Sequence, residues 1–406
     1  MDRGERRLAI AYVHYGAQSG VTPQVADALR ARGHAVRLVD ATGDLEPRDP
    51  VTRRLRPRPA VAVHLALAAA QFGRLALVHR WNTPYAFDRH AARAGARLAA
   101  LDPAPDLVLQ NGALFSPGEP PRQPYALLLD YTSALASSHS QAGDRLAGLL
   151  PPPDLGPAWR AREARVYRGA QLLATFSENT AASLVRDYGV DPHRIRVVGA
   201  GANVPADPAP RRDDGQTILF VGKDWRRKGG PILAAAFERM LARFPRARLV
   251  VAGPPVSPAL PPRALYVGPV QTDELTGLLA QATVFALPTL REPFGIAFLD
   301  AMARGVPCVG SRIDAVPEIV LDGETGLLVA PGDVEMLAGA LGDLLADPAR
   351  ARAMGARGRE RVRGRFQWPL VAERLDEALG TLPARRRGAE PARTPEGRHF
   401  GPPQGW

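Results

Sequence analysis

The sequence predicts an α/β protein built from two doubly wound domains in tandem. Short runs rich in β-branched residues alternate with helical patterns, which is typical of parallel sheets covered by helices. A segment rich in proline and charge, residues 204–214, interrupts this alternation, which then begins again. The length of 406 residues suits two or three domains. Two such domains would leave a cleft between the carboxyl ends of their sheets.

The elements follow from the periodicity of apolar residues along each half. Short β-branched runs predict strands at 8–13, 35–39, 75–79, 107–110, 125–129, 172–175 and 195–198, and then at 217–221, 248–252, 264–267, 284–287 and 307–310. Apolar residues recurring every three or four positions predict helices at 22–32, 86–101 and 179–188, and then at 232–244, 273–281 and 294–304. Residues 384–406 are rich in Arg, Pro and Gly and are expected to be disordered.

Composition indicates a reducing compartment. The single cysteine, Cys308, rules out an internal disulfide framework. No secretory signal precedes the first predicted strand, so we expect a cytoplasmic protein, with peripheral contact at the inner membrane face left open. The longest apolar stretch, residues 60–78, is interrupted by His64, Gln71 and Arg74, and a membrane-spanning helix is therefore not expected.

A net charge of +11 is compatible with nucleic acid, an anionic membrane or acidic substrates. The basic residues are scattered, however, with clusters only at 48–58 and 385–387, and aromatic content is 6%. No zinc-finger or RNA-recognition signature is present. We therefore expect no nucleic-acid partner.

The most informative anomaly is the placement of lysine. Of the 52 Lys and Arg residues only two are lysine, Lys223 and Lys228, and they lie five positions apart in one predicted loop. An ammonium group is a compact point charge, whereas a guanidinium is a broad planar fork. Two small cations in a loop that begins with Gly222 could neutralise a diphosphate. Two surface lysines on a basic turn are the alternative.

Three further segments follow predicted strands. The loop at 15–20 contains small residues that would let backbone amides approach an anion, although a plain turn fits equally well. In the segment 287–302, Pro293 suits a first helical turn, Glu292 precedes it, and Asp300 lies about two turns deeper. An acidic cap and a solvated aspartate would explain the same residues. The segment 305–329 supplies another strand-end loop and a tight turn, and its pattern favours an architectural role.

Together these segments resemble the retaining glycosyltransferases of family four, which have the GT-B fold. The resemblance is best over residues 170–370, is loose over the first 130, and is most specific from Arg291-Glu292-Pro293-Phe294-Gly295 through to Pro317-Glu318-Ile319. It implies an acceptor-side domain over 1–207, a donor domain over 208–365 and a helix over 366–383 that crosses back onto the first domain.

The resemblance also implies roles for individual residues. The family's two glutamates, separated by seven residues, fall on Glu292, beside the donor sugar, and on Asp300, a shorter acid at the ribose position. Lys223 and Lys228 fall on the positions that hold the diphosphate. The implied catalytic residues are Glu292, Lys228 and Lys223. The implied donor-binding residues are Gly16 and Ala17 (with Gly20 as an alternative), Gly222, Lys223, Lys228, Val270, Glu292, Phe294, Gly295, Ile296, Ala297 and Asp300.

One departure from the family concerns the first domain. Many members carry a histidine after a strand there, close to the donor sugar, where this chain has Asp130. His79 and His139 are candidates to replace that histidine, and Asp130 is a further substitute for it. The sequence leaves this role open.

The resulting expectation is transfer of a sugar, with retention, from a UDP- or GDP-linked donor to a saccharide, lipid-linked or small-molecule hydroxyl acceptor. No Asp-x-Asp motif and no His/Cys cluster occurs, so we expect no metal and no cofactor. A Rossmann-type oxidoreductase would need a G-x-G-x-x-G after a strand, which is missing. A nucleotide-sugar epimerase of the same fold and a non-catalytic nucleotide-sugar or polyanion-binding protein remain as alternatives. Oligomeric state is left unassigned.

Overall fold

The structure is a computed structural model that describes residues 7–15, 20–42, 45–46, 58–118, 121, 123–138, 144–149, 152–205 and 212–382. Three predictions fall outside these described residues: the donor-loop positions Gly16 and Ala17, the candidate His139, and the expected disorder of the tail over 384–406.

The first half forms a six-stranded parallel sheet in the order β2-β1-β3-β4-β5-β6. Its strands are β1 Ala9–His14, β2 Ala35–Asp40, β3 Leu107–Asn111, β4 Tyr125–Leu129, β5 Leu172–Thr175 and β6 Ile195–Val197. Every residue of β3, β4 and β5 is buried, as expected for central strands with both faces covered by helices. The helices are α1 Val21–Ala31, α2 Pro59–Phe72, α3 Ala76–His79, α4 Pro84–Ala99, α5 Ser133–Ser138, α6 Asp144–Ala147, α7 Gly156–Gly169 and α8 Glu178–Tyr188.

The strand predicted at 75–79 is wrong. A 3₁₀ turn over Gly73–Leu75 is followed by the single helical turn α3. A short apolar run cannot be assigned to strand or helix from periodicity alone. Here β1 pairs directly with β3, so no place is left for a strand between them.

The second half repeats the plan, with strands in the order β12-β11-β10-β7-β8-β9. Its strands are β7 Thr217–Val221, β8 Arg248–Ala252, β9 Ala264–Gly268, β10 Val284–Leu287, β11 Cys308–Ser311 and β12 Gly326–Val329. Its helices are α9 Gly230–Leu241, α10 Thr272–Gln281, α11 Ile296–Ala303, α12 Val316–Ile319, α13 Val334–Ala346 and α14 Pro348–Arg365. The strand β12 lies in the segment from which the sequence predicted only a loop and a turn. The two-sheet fold class predicted from the sequence is confirmed.

The last described helix, α15 Trp368–Gly380, packs against the first domain. Its Asp376 accepts a hydrogen bond from Arg32 Nε at 2.8 Å and lies 3.0 Å from Nε2 of the buried His34. The Trp368 indole donates to Asn203 Oδ1 at 3.2 Å. A crossing helix is thus present, while the domain limits at 207 and 365 stay predictions.

The apolar stretch around α2 differs from a single spanning helix. Residues Pro59–Ala99 are long and apolar enough to cross a membrane, by length and composition only. Of the most apolar 18-residue window in this stretch, 22% is buried in the fold. The stretch is broken, however, because α2 ends at Phe72 and two 3₁₀ turns follow it. At about 1.5 Å per residue, the 14 residues of α2 reach about 21 Å, less than a hydrocarbon core of about 30 Å.

Candidate active site in the interdomain cleft

Two loops meet at the carboxyl ends of β7 and β10, which are neighbouring strands. Gly229 has φ +76, and a Cβ there would lie 1.8 Å from the Pro288 carbonyl oxygen, so only glycine permits this approach. The Leu290 amide donates to the Arg227 carbonyl at 2.9 Å. Arg227 Nη1 in turn donates to the Arg291 carbonyl at 2.7 Å. These contacts hold together the loop after β7, residues 222–229, and the segment before α11, residues 288–295. We call these two segments the cradle.

Lys228 and Glu292 form an ion pair inside this cradle. Their side chains are 13% and 4% exposed, so solvent screens the pair little. Burial lowers the pKa of Lys228, and the Glu292 carboxylate opposes that shift. Gly222 lets the lysine stem pass, because a Cβ there would lie 3.0 Å from Lys228 Cγ. The structure therefore brings together the cation and the carboxylate that the sequence singled out 64 positions apart.

The helix α11 begins beside this pair. Its N-cap, Gly295, has φ +115, a conformation that strains any other residue. The first amides of a helix have no intrahelical acceptor and, with the helix dipole, favour an anion. Ile296 and Ala297 supply these amides and are partly exposed, whereas Phe294 is buried against Phe176 of the first domain. The helix predicted from 294 thus begins two residues later.

Asp314, which has no role in the motifs of the sequence, orients the segment that carries Glu292. Its Oδ2 accepts from the Glu292 amide at 2.8 Å, and its Oδ1 accepts from the Tyr131 hydroxyl across the cleft at 2.9 Å. Asp314 has φ +49, which is uncommon for a residue other than glycine. Such strain persists where the surroundings enforce it, often at functional sites. No sequence signal reveals this role, because it depends on that backbone conformation.

Other contacts join the two halves across the same cleft. Arg291 Nη2 bonds Asp144 Oδ2 at 3.0 Å, with both side chains largely buried. The Glu318 carboxylate accepts from the backbone amides of Glu178 and Asn179, at the start of α8, at 2.8 and 2.9 Å. Acidic groups stabilise a helix N-terminus. Glu318, quoted in the sequence only for its motif, therefore connects the domains.

Asp130 follows β4 directly and lies on the first-domain side of the cleft. Its side chain is exposed, yet the surrounding protein raises the pKa of its carboxyl, and the negative charge of Glu292 raises that pKa further. The influence of Glu292 places Asp130 within electrostatic reach of the ion pair. Burial lowers the pKa of His79, a hydrogen bond with the Asn82 side chain opposes that shift, and the Arg291 charge lowers the pKa further. The role of the family histidine stays a prediction for both of these described candidates.

Asp300 is held by the connection between the domains. Its Oδ1 accepts from the amides of Asn203 and Val204 at 2.6 and 3.0 Å. Burial raises the pKa of Asp300 to about 6, while these two amides act in the opposite direction. Gly20, the alternative glycine of the first loop, lies next to Asn203. The predicted ribose contact of Asp300 stays a prediction, and the structure adds a role at the connection.

Lys223 is exposed and lines a cavity of about 1070 Å³ between the two halves. Trp225, Val256 and Pro269 line the same cavity, and Val270, one of the predicted donor-binding residues, follows Pro269 directly. Among the described residues no group of three His, Cys, Asp or Glu side chains is arranged to hold a metal ion.

Comparison with known proteins finds a family model that matches part of the second half. Residues 215–347 match the family model described as "Glycosyl transferases group 1". That span contains both loops of the cradle and α11. The predicted resemblance is thereby confirmed for the second half, which is similar to the group 1 glycosyltransferases over residues 215–347.

Curated relatives point the same way. A D-inositol 3-phosphate glycosyltransferase of Corynebacterium diphtheriae is 29% identical over 277 residues, which are 61% of this chain and 63% of the relative. An alpha-maltose-1-phosphate synthase of Mycolicibacterium smegmatis is 33% identical over 256 residues, 54% of this chain and 65% of the relative. The chain thus spans slightly less than two thirds of the length of these relatives.

Solved structures show the fold. Sucrose-phosphate synthase from Thermosynechococcus elongatus superposes with a TM-score of 0.67 at 22% identity, covering 92% of this chain and 98% of that one. Anabaena HepE in complex with UDP-glucose superposes with a TM-score of 0.60 at 14% identity, covering 93% and 100%. Together with the two parallel sheets, these likenesses establish the GT-B fold.

Proposed function

We propose that this chain is a retaining glycosyltransferase of the hexosyltransferase type. It would move a sugar from a UDP- or GDP-linked donor to a hydroxyl of a saccharide, lipid-linked or small-molecule acceptor. The buried Lys228–Glu292 pair beside the N-terminus of α11 is the observation that carries the proposal. The names of the relatives, which are transferases and synthases acting on sugars or sugar phosphates, support it.

The chemistry follows from where charge develops. The bond between the anomeric carbon and the diphosphate oxygen breaks, the acceptor oxygen bonds to that carbon, and the acceptor proton leaves toward the departing diphosphate. Preorganised cations and helix-end amides stabilise the growing negative charge, and such electrostatic stabilisation commonly lowers a reaction barrier more than any other effect. Lys228, Lys223 and the amides of Ile296 and Ala297 would supply that stabilisation. Glu292 would position sugar hydroxyls and stabilise positive charge near the anomeric carbon.

The ion pair also suggests how the donor engages. Without donor, Glu292 neutralises Lys228 and so limits the cost of burying its charge. An incoming diphosphate would share that lysine with the carboxylate. No strong nucleophile for a double displacement can be named, so attack from the leaving-group face is the proposed route to retention. Asp130 would contact the sugar from the first domain.

A thermal-shift panel of UDP, GDP, ADP and their sugars tests the donor class. The matching nucleotide should raise the unfolding temperature by an amount set by its affinity and concentration. Product formed with a panel of sugar acceptors should then show the donor's anomeric configuration by NMR. Product formation should continue in excess EDTA. Full loss of transfer in EDTA, restored by manganese, would contradict metal independence.

The same panel separates the alternatives. An epimerase would convert the donor sugar without any acceptor. A non-catalytic binding protein would show a thermal shift but neither transfer nor slow hydrolysis of the sugar nucleotide. The proposal would be refuted if none of these nucleotides raised the unfolding temperature.

A further inference from the structure

The outer face of α2 is apolar where a surface helix is normally charged. Its inward stripe consists of Val61, His64, Ala68 and Phe72, spaced three or four residues apart and buried. The remaining positions carry mainly alanine, valine and leucine, and the helix has no Asp, Glu, Lys or Arg. A helix that is apolar all round is normally buried. Here Val63 and Leu67 are 46% and 43% exposed.

The turn after α2 extends this apolar surface. The His64 ring stacks on Trp81 with centroids 5.1 Å apart, and Phe72 contacts His79 at 5.7 Å, so the chain folds back along the helix. In that returning segment Leu77 and Val78 are each 69% exposed. We call the set of Val63, Leu67, Leu77 and Val78 the α2 surface.

Within the stretch of sequence that forms the α2 surface, the charged residues are all positive. Arg58 and Arg74 lie at the two ends of α2, and Arg80 follows α3. From 51 through 87 the sequence contains six arginines and no Asp or Glu, three of these arginines lying outside the described residues. Apolar side chains bordered by arginines, with an aromatic residue such as Trp81 nearby, are characteristic of helices that lie in a membrane interface.

We propose that the α2 surface docks on an anionic phospholipid bilayer, with Leu67, Leu77 and Val78 entering the acyl boundary and the bordering arginines on lipid phosphates. The length of α2 agrees with this, because a helix of about 10–14 apolar residues suits an interfacial segment better than a span. A second copy of the chain fits less well. Two such faces packed together would oppose arginine borders without an acidic residue from the same stretch to pair with them. The inference does not depend on the proposed transfer activity.

Vesicle co-sedimentation of the full chain tests the proposal. Vesicles containing about a third phosphatidylglycerol should bind the protein, and pure phosphatidylcholine vesicles should bind it far more weakly. The triple variant Leu67→Ser/Leu77→Ser/Val78→Ser leaves the net charge unchanged and removes only apolar contact. The membrane partition coefficient of this variant should fall about 100-fold, because each apolar side chain that enters the acyl region contributes to the free energy of binding.

The matched control is Leu265→Ser, on β9 in the second half, where the side chain is 59% exposed. It should bind vesicles like the wild type, and both proteins should keep the wild-type unfolding temperature and nucleotide thermal shift. Failure of the wild type to bind, or equal binding by the triple variant, would overturn the proposal. Concentration-dependent dimerisation that the triple variant abolishes, without vesicle binding, would assign the α2 surface to a second copy instead.

Discussion

At the residue scale, Lys228 combines charge with a confined geometry. Its stem passes Gly222 and its ammonium reaches Glu292 in a site that is largely closed to solvent. A guanidinium is larger and planar, so arginine cannot occupy the same space without displacing the carboxylate. This explains on physical grounds why a chain that otherwise uses arginine would keep a lysine here.

We therefore predict that Lys228→Ala lowers kcat for sugar transfer by about 100-fold or more. Lys228→Arg should also be impaired although the charge is kept. Arg239→Ala, on the outer side of α9 and half exposed, is the matched control and should transfer at the wild-type rate. Steady-state kinetics with saturating donor provide the measurement, and full activity in both Lys228 variants would remove this residue from the mechanism.

A second prediction concerns Asp314, which positions Glu292 without belonging to the motif. Asp314→Gly removes both hydrogen bonds yet relieves the positive φ, so stability should be kept while kcat falls about 10- to 100-fold. Asp314→Asn, which tolerates this backbone conformation and keeps an acceptor oxygen, should retain more activity. Comparing kcat with the unfolding temperature separates positioning from folding. Parallel losses of both would show a merely structural role.

Asp300 gives a prediction about pH. Its pKa is raised from 3.8 to about 6 in the fold, so between about pH 4 and 6 the unfolded chain releases this proton while the native state keeps it. The contribution of Asp300 to the free energy of unfolding should therefore fall as the pH rises from about 4 to 6, by about 3 kcal/mol for a shift of this size, and stay level at higher pH. Asp300→Asn cannot titrate, so its stability relative to wild type should rise between pH 4 and 7 in denaturant titrations. A pH-independent difference would contradict the buried, protonated state.

At the element scale, glycine on α14 allows this helix to pack closely against the end of α11, the helix that begins at the site. A Cβ at Gly355 would lie 1.9 Å from the Gly305 carbonyl oxygen, just after α11. Gly364 in the same helix has no atom within 4 Å of such a Cβ. Gly355→Ala should thus destabilise the fold by about 3 kcal/mol or more, whereas Gly364→Ala should stabilise it by about 0.5 kcal/mol. Thermal unfolding of the two variants measures the contrast, and equal effects would refute the packing argument.

The elements also show what the sequence could and could not predict. Strands such as β4 and β7 follow from dense apolar runs, and Lys228 with Glu292 from residue type and spacing. The helix α3 could not be predicted, because its short apolar run lacks a period. Asp314 could not be assigned either, since its role requires a tyrosine 183 positions away and an uncommon φ.

At the scale of the whole molecule, the first and last described helices meet. The helix α15 packs on α1, and a Cβ at Gly201 would lie 2.5 Å from the Trp368 amide nitrogen. The two halves are thus joined both through the chain connection at 201–204 and through the returning helix. Such a double attachment restricts the motion of the halves to rotation about this side of the cleft.

The hydrogen bonds across the cleft have a kinetic consequence for such a rotation. A donor that enters between the halves requires the Tyr131–Asp314 and Arg291–Asp144 contacts on the opposite walls to separate first. The observed rate constant for nucleotide binding should then level off with increasing concentration, at the rate of opening, instead of rising linearly. Stopped-flow fluorescence of Trp225, two residues from Lys223, can follow nucleotide binding. Tyr131→Phe should raise the plateau, because it removes the hydrogen bond to Asp314. Sugar transfer would then be limited by admission of the donor, and the loss of one hydrogen bond across the cleft could make it faster.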